Sequence, residues 1–483
     1  MDDQRPDGNG DTSGGPADHR FSRGYVAALG FEPVAPEHWP RRKLGRIIVR
    51  HDVRVASHKC KLPDASVLVI GLVCDVRDAD RTAKSCVALL AEGLRLSEER
   101  FFSELSFMSG RYVVFYRRGD RERVVTDATG MRMAMYALGT HVIASHTGLI
   151  GANVPEPAVR TRAYQWGAPG NRTPVEGIRV LTPNTKLDLG SWRVSRYWPR
   201  RALEMMEVDA AARLVVEAMR NTFRHLASHH QPLISITAGI DSRVTLAVSR
   251  GAARYMTYYR NDDADSDLLD RTFATEIANR FGLRHDLLLT ASHGSVPEDY
   301  KAMLAENTTL PHIPRVSFAY YQTYSKGNYT HIRSNLAEIA RQFYQFRLHT
   351  MQTVHSKTTF DTVDDLMFLW FQDNPPPVAR EAFAEFVETT DFFGCRDFID
   401  LADLFYWEHR MGVWHPQVVL ESDPAFETVS LYNCRHILET MLSVPLRDRR
   451  RATLLKRIIL SEWPELAAYP VNARPFASYP FSQ

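Results

Sequence analysis

The stretch Ser235-Ile-Thr-Ala-Gly-Ile-Asp-Ser-Arg243 decides the reading of this chain. It stands where a short apolar strand, Gln231-Pro-Leu-Ile-Ser-Ile-Thr237, gives way to a helix over Asp241 to Ser249. Small residues at Thr237, Ala238 and Gly239 let backbone N–H groups come close to a phosphate chain, and the helix N-terminus adds positive potential. The hydroxyls of Thr237 and Ser242 would donate to phosphate oxygens, and Arg243 would add a bidentate contact. Ser235, at the strand end, completes the expected pyrophosphate-binding set. Asp241 is placed to bind the magnesium ion that accompanies a nucleotide, a hard cation that prefers carboxylate and phosphate oxygens. The GxxxxGK spacing and the lysine of a Walker A loop are missing.

Outward from this loop the pattern repeats. An apolar helix over Val208 to Leu226 precedes the strand; a second strand, Arg254 to Tyr259, and a second helix, Asp265 to Phe281, follow. Strands alternating with helices predict a parallel, doubly wound sheet whose ligands bind at the carboxyl ends of its strands. Beyond residue 345 the chain reads as mostly helical, with a break at Asn374-Pro-Pro-Pro377.

The first half has a different texture. Short β-like runs at Arg46 to Val55, Ser66 to Cys74, Gly110 to Tyr116, Arg123 to Thr126 and His141 to Ser145 surround one helical segment, Ala79 to Leu96. Arg118-Gly119-Asp120 turns the best hairpin. This predicts an α+β domain on antiparallel sheet over residues 21–198 and an α/β domain over 199–483. Residues 1–20 hold almost no large apolar side chain and read as a disordered tail.

The chain has 483 residues, 44% hydrophobic and 24% charged, the balance of a folded protein with more than one core. A net charge of +2 gives no electrostatic reason to expect nucleic acid or an anionic membrane. Of 59 cationic residues only nine are lysine, so each lysine is a candidate for a special role. No apolar run of about 18 residues offers a membrane span, and no signal peptide is recognisable, so a cytoplasmic protein is expected. Five cysteines, none in CxxC spacing, argue against a disulfide framework or a zinc ribbon. His229-His230 and Tyr406-Trp-Glu-His-Arg410 lack the spacing of a helical metal-binding pair, while Glu408, His409 and Arg410 near Trp414 are candidates to line a substrate pocket.

The loop resembles the SGGxDS pyrophosphate loop of the asparagine synthetase family, with Thr237 for its Ser and Ala238 for its first Gly. Alanine resists positive φ, so the resemblance implies either a shifted backbone or weaker pyrophosphate binding. Further segments follow in the family's order. Arg254-Tyr-Met-Thr-Tyr-Tyr259 is similar to its second strand, which implies Met256 at the adenine, and Ala274-Thr-Glu-Ile-Ala278 to the next helix. His331 to Tyr344 resembles its G-x-G-A-D-E-x-x-x-G-Y segment without the glycines, implying Glu338 as the second magnesium carboxylate. Leu431-Tyr-Asn-Cys-Arg435 looks like its P-F-L-D segment. Ala452-Thr-Leu-Leu-Lys456 looks like its K-x-x-L-R helix, implying that Lys456 stabilises charge on the α-phosphate and the leaving pyrophosphate. Where the family has another lysine, Tyr469-Pro-Val-Asn-Ala-Arg474 offers Arg474, which holds phosphate but does not deprotonate.

The first half is similar to the family's class II glutamine amidotransferase domain at Gly110 to Tyr116, Asp127 to Tyr136 and Val142 to Ser145, with linker-like segments at Pro174 to Ile178, Leu181 to Asn184 and Arg196 to Trp198. That implies an antiparallel sandwich like the N-terminal nucleophile hydrolases, then an adenine-nucleotide α-hydrolase-like domain with a helical C-terminal part. The catalytic cysteine expected at position 2 is replaced by Asp2, and the earliest cysteine is Cys60.

The resemblance implies a ligase using ATP and Mg2+ that adenylates a carboxylate and transfers the acyl group to an amine. Ammonia from glutamine is not expected. The amine is then free ammonia, a second substrate, or a group on the adenylated molecule, as in β-lactam synthetases and lasso-peptide cyclases. Tyr344 and Glu408 are candidates by type for the Tyr–Glu pair of the β-lactam enzymes. Expected partners are small-molecule or peptide carboxylates and amines, without nucleic acid or membrane, and a homodimer is allowed. A non-amine nucleophile and a catalytically silent binding protein remain open alternatives.

Overall fold

Strands that alternate apolar and polar residues need a second layer for the apolar face, and the first half of the chain supplies it as two antiparallel six-stranded sheets. The structure is a computed structural model that describes residues 19–154, 166–260, 265–290, 295–309, 311–354, 357–370 and 375–480. One sheet runs Ile178–Val180, Met135–Ala137, Val142–Ala144, Tyr25–Leu29, Ile47–His51, Arg41–Leu44. The other runs Arg193–Arg196, Thr185–Asp188, Arg121–Thr126, Met108–Arg118, Ala65–Asp75, Ser57–Lys61. Tyr25, Ile47 and Val49 of the first meet Leu68, Ile70, Val113 and Phe115 of the second in one buried layer. The outer face of the second sheet, with Val67, Val69, Val114 and Tyr116, is covered by the helices Ala83–Leu96 and Glu98–Leu105.

Several boundaries differ from the sequence reading, each for a local reason. The run expected over Arg46 to Val55 stops at His51, because the Asp52 carboxylate accepts the backbone N–H groups of Arg23 and Arg54, each at 2.8 Å, and turns the chain. The helix expected from Ala79 starts at Ala83, where the Thr82 hydroxyl accepts the Ser85 N–H. Strands such as Arg41–Leu44 and Arg193–Arg196 were not expected, since short polar edge strands carry no apolar run to announce them. Residues 1–18 of the expected tail lie outside the described residues, but His19 packs edge-on against Tyr321 and Arg20 pairs with Glu306. Of the expected break at Asn374 to Pro377, Asn374 lies outside the described residues, and a helix begins at Pro377.

The second half is built on one parallel sheet, ordered His285–Leu289, Arg254–Tyr259, Gln231–Ser235, Tyr329–Arg333, Glu427–Ser430. Alternate residues divide its faces. Ile234, Tyr255 and Ile332 pack with the helices Val208–His229 and Ile240–Ser249, while Leu233, Met256 and Leu288 pack with Tyr320 and Tyr324 of the helix Pro314–Tyr324. The chain leaves the central strand outward in one direction and returns to lay Tyr329–Arg333 on its other side. The order therefore switches between Gln231–Ser235 and Tyr329–Arg333, the place where such sheets open a crevice. Among the described residues, no helix is long and apolar enough to cross a membrane.

Buried charges join the halves. The Arg111 guanidinium, 1% exposed, clasps both carboxylate oxygens of Asp423 at 2.5 and 2.7 Å and donates to the Met131 carbonyl. Arg132 reaches Glu427, the first residue of the edge strand, at 2.7 Å. Asn433 donates to Asp127 and to the Gly110 carbonyl, and Arg196 clasps Glu408. Arg111→Met strands Asp423 in the interior, so a loss of about 3–5 kcal/mol is expected in urea unfolding. A loss of about 1 kcal/mol, the level of a surface pair, would show that these charges do not hold the halves together.

Candidate active site

The loop after the central strand has the predicted position. Helix Ile240–Ser249 starts at Gly239, and Thr237 and Ser242 lock the turn between them: their hydroxyls are 2.8 Å apart and the Thr237 N–H donates to Ser242 Oγ. Ala238 lies outside the left-handed region, so the alanine sits in the loop without the strain expected of it. Its N–H donates to the Asp270 carboxylate at 2.7 Å, showing that the loop offers a donor to an anionic oxygen. Ser235 turns aside, its hydroxyl 2.7 Å from His331 Nε2.

Glu338 follows the neighbouring strand in a short 3-10 turn, Ala337–Arg341, flanked by left-handed residues. Leu336 takes φ 88°, the conformation the missing glycines would otherwise provide. Glu338 Oε2 accepts the Leu336 N–H at 3.0 Å and the Tyr406 hydroxyl at 2.8 Å. Asp241 Oδ2 accepts Arg341 Nη2 at 2.6 Å, while Oδ1 is buried and, among the described residues, has no hydrogen-bond partner. The two expected carboxylates thus lie close enough for Glu338 to raise the Asp241 pKa. Burial is the larger cause, Arg341 opposes both, and the carboxyl is pushed up to about 6.

These residues fit a magnesium ion in one respect and resist it in another. The orphaned Oδ1 of Asp241 is an acceptor in need of a cation, but Oδ2 is held by Arg341. Among the described residues, no group of three His, Cys, Asp or Glu side chains is arranged to hold a metal.

Three expected ligand residues have other work. All four terminal N–H bonds of Arg243 are directed at backbone carbonyls, those of Leu466, Tyr469, Ala238 and Pro470, while its face covers the Phe273 ring at 4.4 Å. It braces the loop and has no terminal donor left for phosphate. Met256 is fully buried with Leu233 and Tyr320 and presents no surface to an adenine. Arg474 donates to the Pro480 carbonyl and, among the described residues, pairs with neither carboxylate.

Lys456, on the helix Thr453–Glu462, donates to the Ala477 carbonyl at 3.0 Å, and burial lowers its pKa. It contacts the strap of residues 469–480, not Asp241 or Glu338. That strap also reaches the loop, through the Asn472 N–H on the Ala238 carbonyl, and Arg341, through the Tyr479 hydroxyl. Tyr344 packs among Phe343, Phe405 and Tyr406, and Glu408 is clasped by Arg196 and Asn184, so the structure does not pair them. The Tyr–Glu pair that forms beside Asp241 joins Glu338 of the 3-10 turn to Tyr406, the first residue of a nine-residue π-helix, Tyr406–Trp414. Arg341, Tyr406, Tyr479 and Asp270 escaped the sequence reading.

No protein-family model matches the chain, and no curated protein matches it. Among solved structures it is similar to glutamine phosphoribosylpyrophosphate amidotransferase from B. subtilis complexed with ADP and GMP, at 10% identity over 71% of this chain and 74% of that one, TM-score 0.23. A structure described as the allosteric regulatory enzyme of purine biosynthesis gives 12% identity over 69% and 72%, TM-score 0.23. NMN synthetase from Francisella tularensis gives 13% identity over 51% of this chain and 96% of that one, TM-score 0.18. These overlaps are loose, and the fold rests on the strand orders given above.

The raised pKa has a consequence for stability. The Asp241 carboxyl titrates near 6 when folded against an ordinary 3.8, so folding favours its protonated form. Its ionisation costs stability as pH rises between those values, and the cost is complete above the higher one. Asp241→Asn removes this titration. Relative to wild type, the variant is expected to gain on the order of 2 kcal/mol between acid and neutral pH; a difference that stays flat with pH in urea unfolding would contradict the assignment.

Proposed function

We propose that the chain is an ATP-dependent, glutamine-independent amide ligase or cyclase that adenylates a substrate carboxylate and passes the acyl group to an amine. The observation that carries this is the placement of the Thr237 to Ser242 loop and the Asp241 and Glu338 carboxylates on either side of the switch point of a parallel sheet. In this reading the loop's N–H groups and hydroxyls bind the polyphosphate. Asp241 and Glu338 would hold a magnesium ion, which supplies charge neutralisation when bound. A substrate carboxylate oxygen attacks the α-phosphorus, the bond to the β-phosphate oxygen breaks, and pyrophosphate leaves. The amine nitrogen then attacks the acyl carbon, AMP leaves with the bonding electrons of the C–O bond, and the amine loses a proton. Lys456, tied to the strap that reaches the loop, is the proposed cation for the leaving group.

The cysteines support independence from glutamine. Burial pushes up the thiols of Cys60, Cys74, Cys86, Cys395 and Cys434, the opposite of what activates a nucleophilic thiolate. A second reading, a silent binding protein, is favoured by one feature: Asp270 and Arg341 already occupy the Ala238 N–H and Asp241 Oδ2.

Pyrophosphate release separates the two. With magnesium-ATP and a panel of amino-acid and peptide carboxylates, the ligase reading expects AMP and pyrophosphate in equal amounts. Asp241→Asn is then expected to lower turnover by about 100-fold or more while keeping the fold. If neither product forms and ATP does not raise the unfolding temperature, the silent reading replaces it.

A further inference from the structure

We infer that Arg341 is a resident counter-cation that keeps Asp241 closed to divalent ions in the free protein and must release it before a nucleotide-borne ion can be held there. The inference rests on the proposed ATP site. It begins with an asymmetry in one carboxylate: Oδ2 is 2.6 Å from Arg341 Nη2, whereas Oδ1 is buried and unpartnered among the described residues. A carboxylate in this setting needs compensating charge on both oxygens, and Glu338 beside it adds to the demand.

The guanidinium is well placed to serve and to leave. Its side chain is 19% exposed against 22% for Asp241, and it sits in the same 3-10 turn as Glu338, so one segment carries both a candidate metal carboxylate and the cation that competes with the metal. A second tether, Nη1 to the Tyr479 hydroxyl at 3.3 Å, belongs to the C-terminal strap and does not depend on Asp241. Release of Oδ2 therefore does not require the arginine to leave the site. The strap links the same event to the loop and to Lys456, because Asn472 holds the Ala238 carbonyl and Ala477 holds the lysine. Arginine suits this use better than lysine, since its fork engages two partners at once and it stays charged.

The test uses Mn2+ alone, read as loss of the free-ion electron paramagnetic resonance signal, with the full chain and no nucleotide. Wild type is expected to bind Mn2+ weakly, and Arg341→Met to bind it at least tenfold more tightly. Adding Asp241→Asn to that variant should remove the gain. Arg341→Lys, which keeps the charge and the fold but not the fork, should give an intermediate affinity if the methionine variant proves unstable. Equal Mn2+ affinity in wild type and in both Arg341 variants would overturn the proposal, as would a gain that survives Asp241→Asn. Because no turnover is read, this failure is distinct from failure of the ligase reading: pyrophosphate release by wild type with no Mn2+ gain in the variants would remove the counter-cation and leave the ligase.

Discussion

The bidentate contact of Arg111 with Asp423 is a buried constraint on how the two halves of this molecule meet. It ties the long strand Met108–Arg118 of the antiparallel half to the turn preceding Glu427–Ser430, the edge strand of the parallel sheet. Two charges taken from water regain their hydration only if the geometry is nearly ideal. Here Nε of Arg111 also donates to a carbonyl and Arg132 Nη2 reaches Glu427, while Arg132 Nε is buried without a partner among the described residues. The halves therefore meet in one orientation, and the parallel sheet's switch-point crevice is fixed relative to the sandwich.

Sequence made the frame legible where apolar periodicity was strong. The strands Ala65–Asp75, Met108–Arg118 and Gln231–Ser235 and the helix Val208–His229 show themselves as apolar runs, and the strand-to-helix loop shows itself through small residues and Asp241. The short polar strands did not, because their stability comes from neighbours and not from their own side chains. Loop position was legible for the same reason; ligand role was less so. Arg243 carries the right charge at the right spacing, yet three of its four terminal N–H contacts go to carbonyls more than 200 positions away in sequence. Met256 sits on the correct strand, but the period of two turns it into the covered face.

The strap of residues 469–480 is the element that makes the site more than a loop. Its backbone supplies carbonyls to Arg243 and Lys456 and an N–H to the Ala238 carbonyl, and its Tyr479 hydroxyl accepts Arg341 Nη1. Asn472 and Ala473 take left-handed conformations at φ 47° and 65°, an unusual cost for non-glycine residues that the surrounding hydrogen bonds must offset. Lys456 and Arg341 are thus both tethered to this one segment, although no bond joins them.

The strong bias toward arginine acquires a physical meaning inside this frame. A buried lysine offers a point charge and three donors without a plane; a guanidinium offers a fork that satisfies two acceptors and a face that covers a ring. Arg111, Arg196 and Arg435 use the fork across the junction of the halves, and Arg243 uses both fork and face beneath the loop. Fold and site draw on the same residue type, so the charge at Arg341 cannot be assigned from composition or spacing alone. What distinguishes it is its partner: Arg243 meets only carbonyls, which give it no net charge to neutralise, whereas Arg341 meets a carboxylate whose second oxygen is still unsatisfied. An arginine facing half-neutralised charge at a switch point stands in an exchangeable position, and one facing carbonyls alone does not.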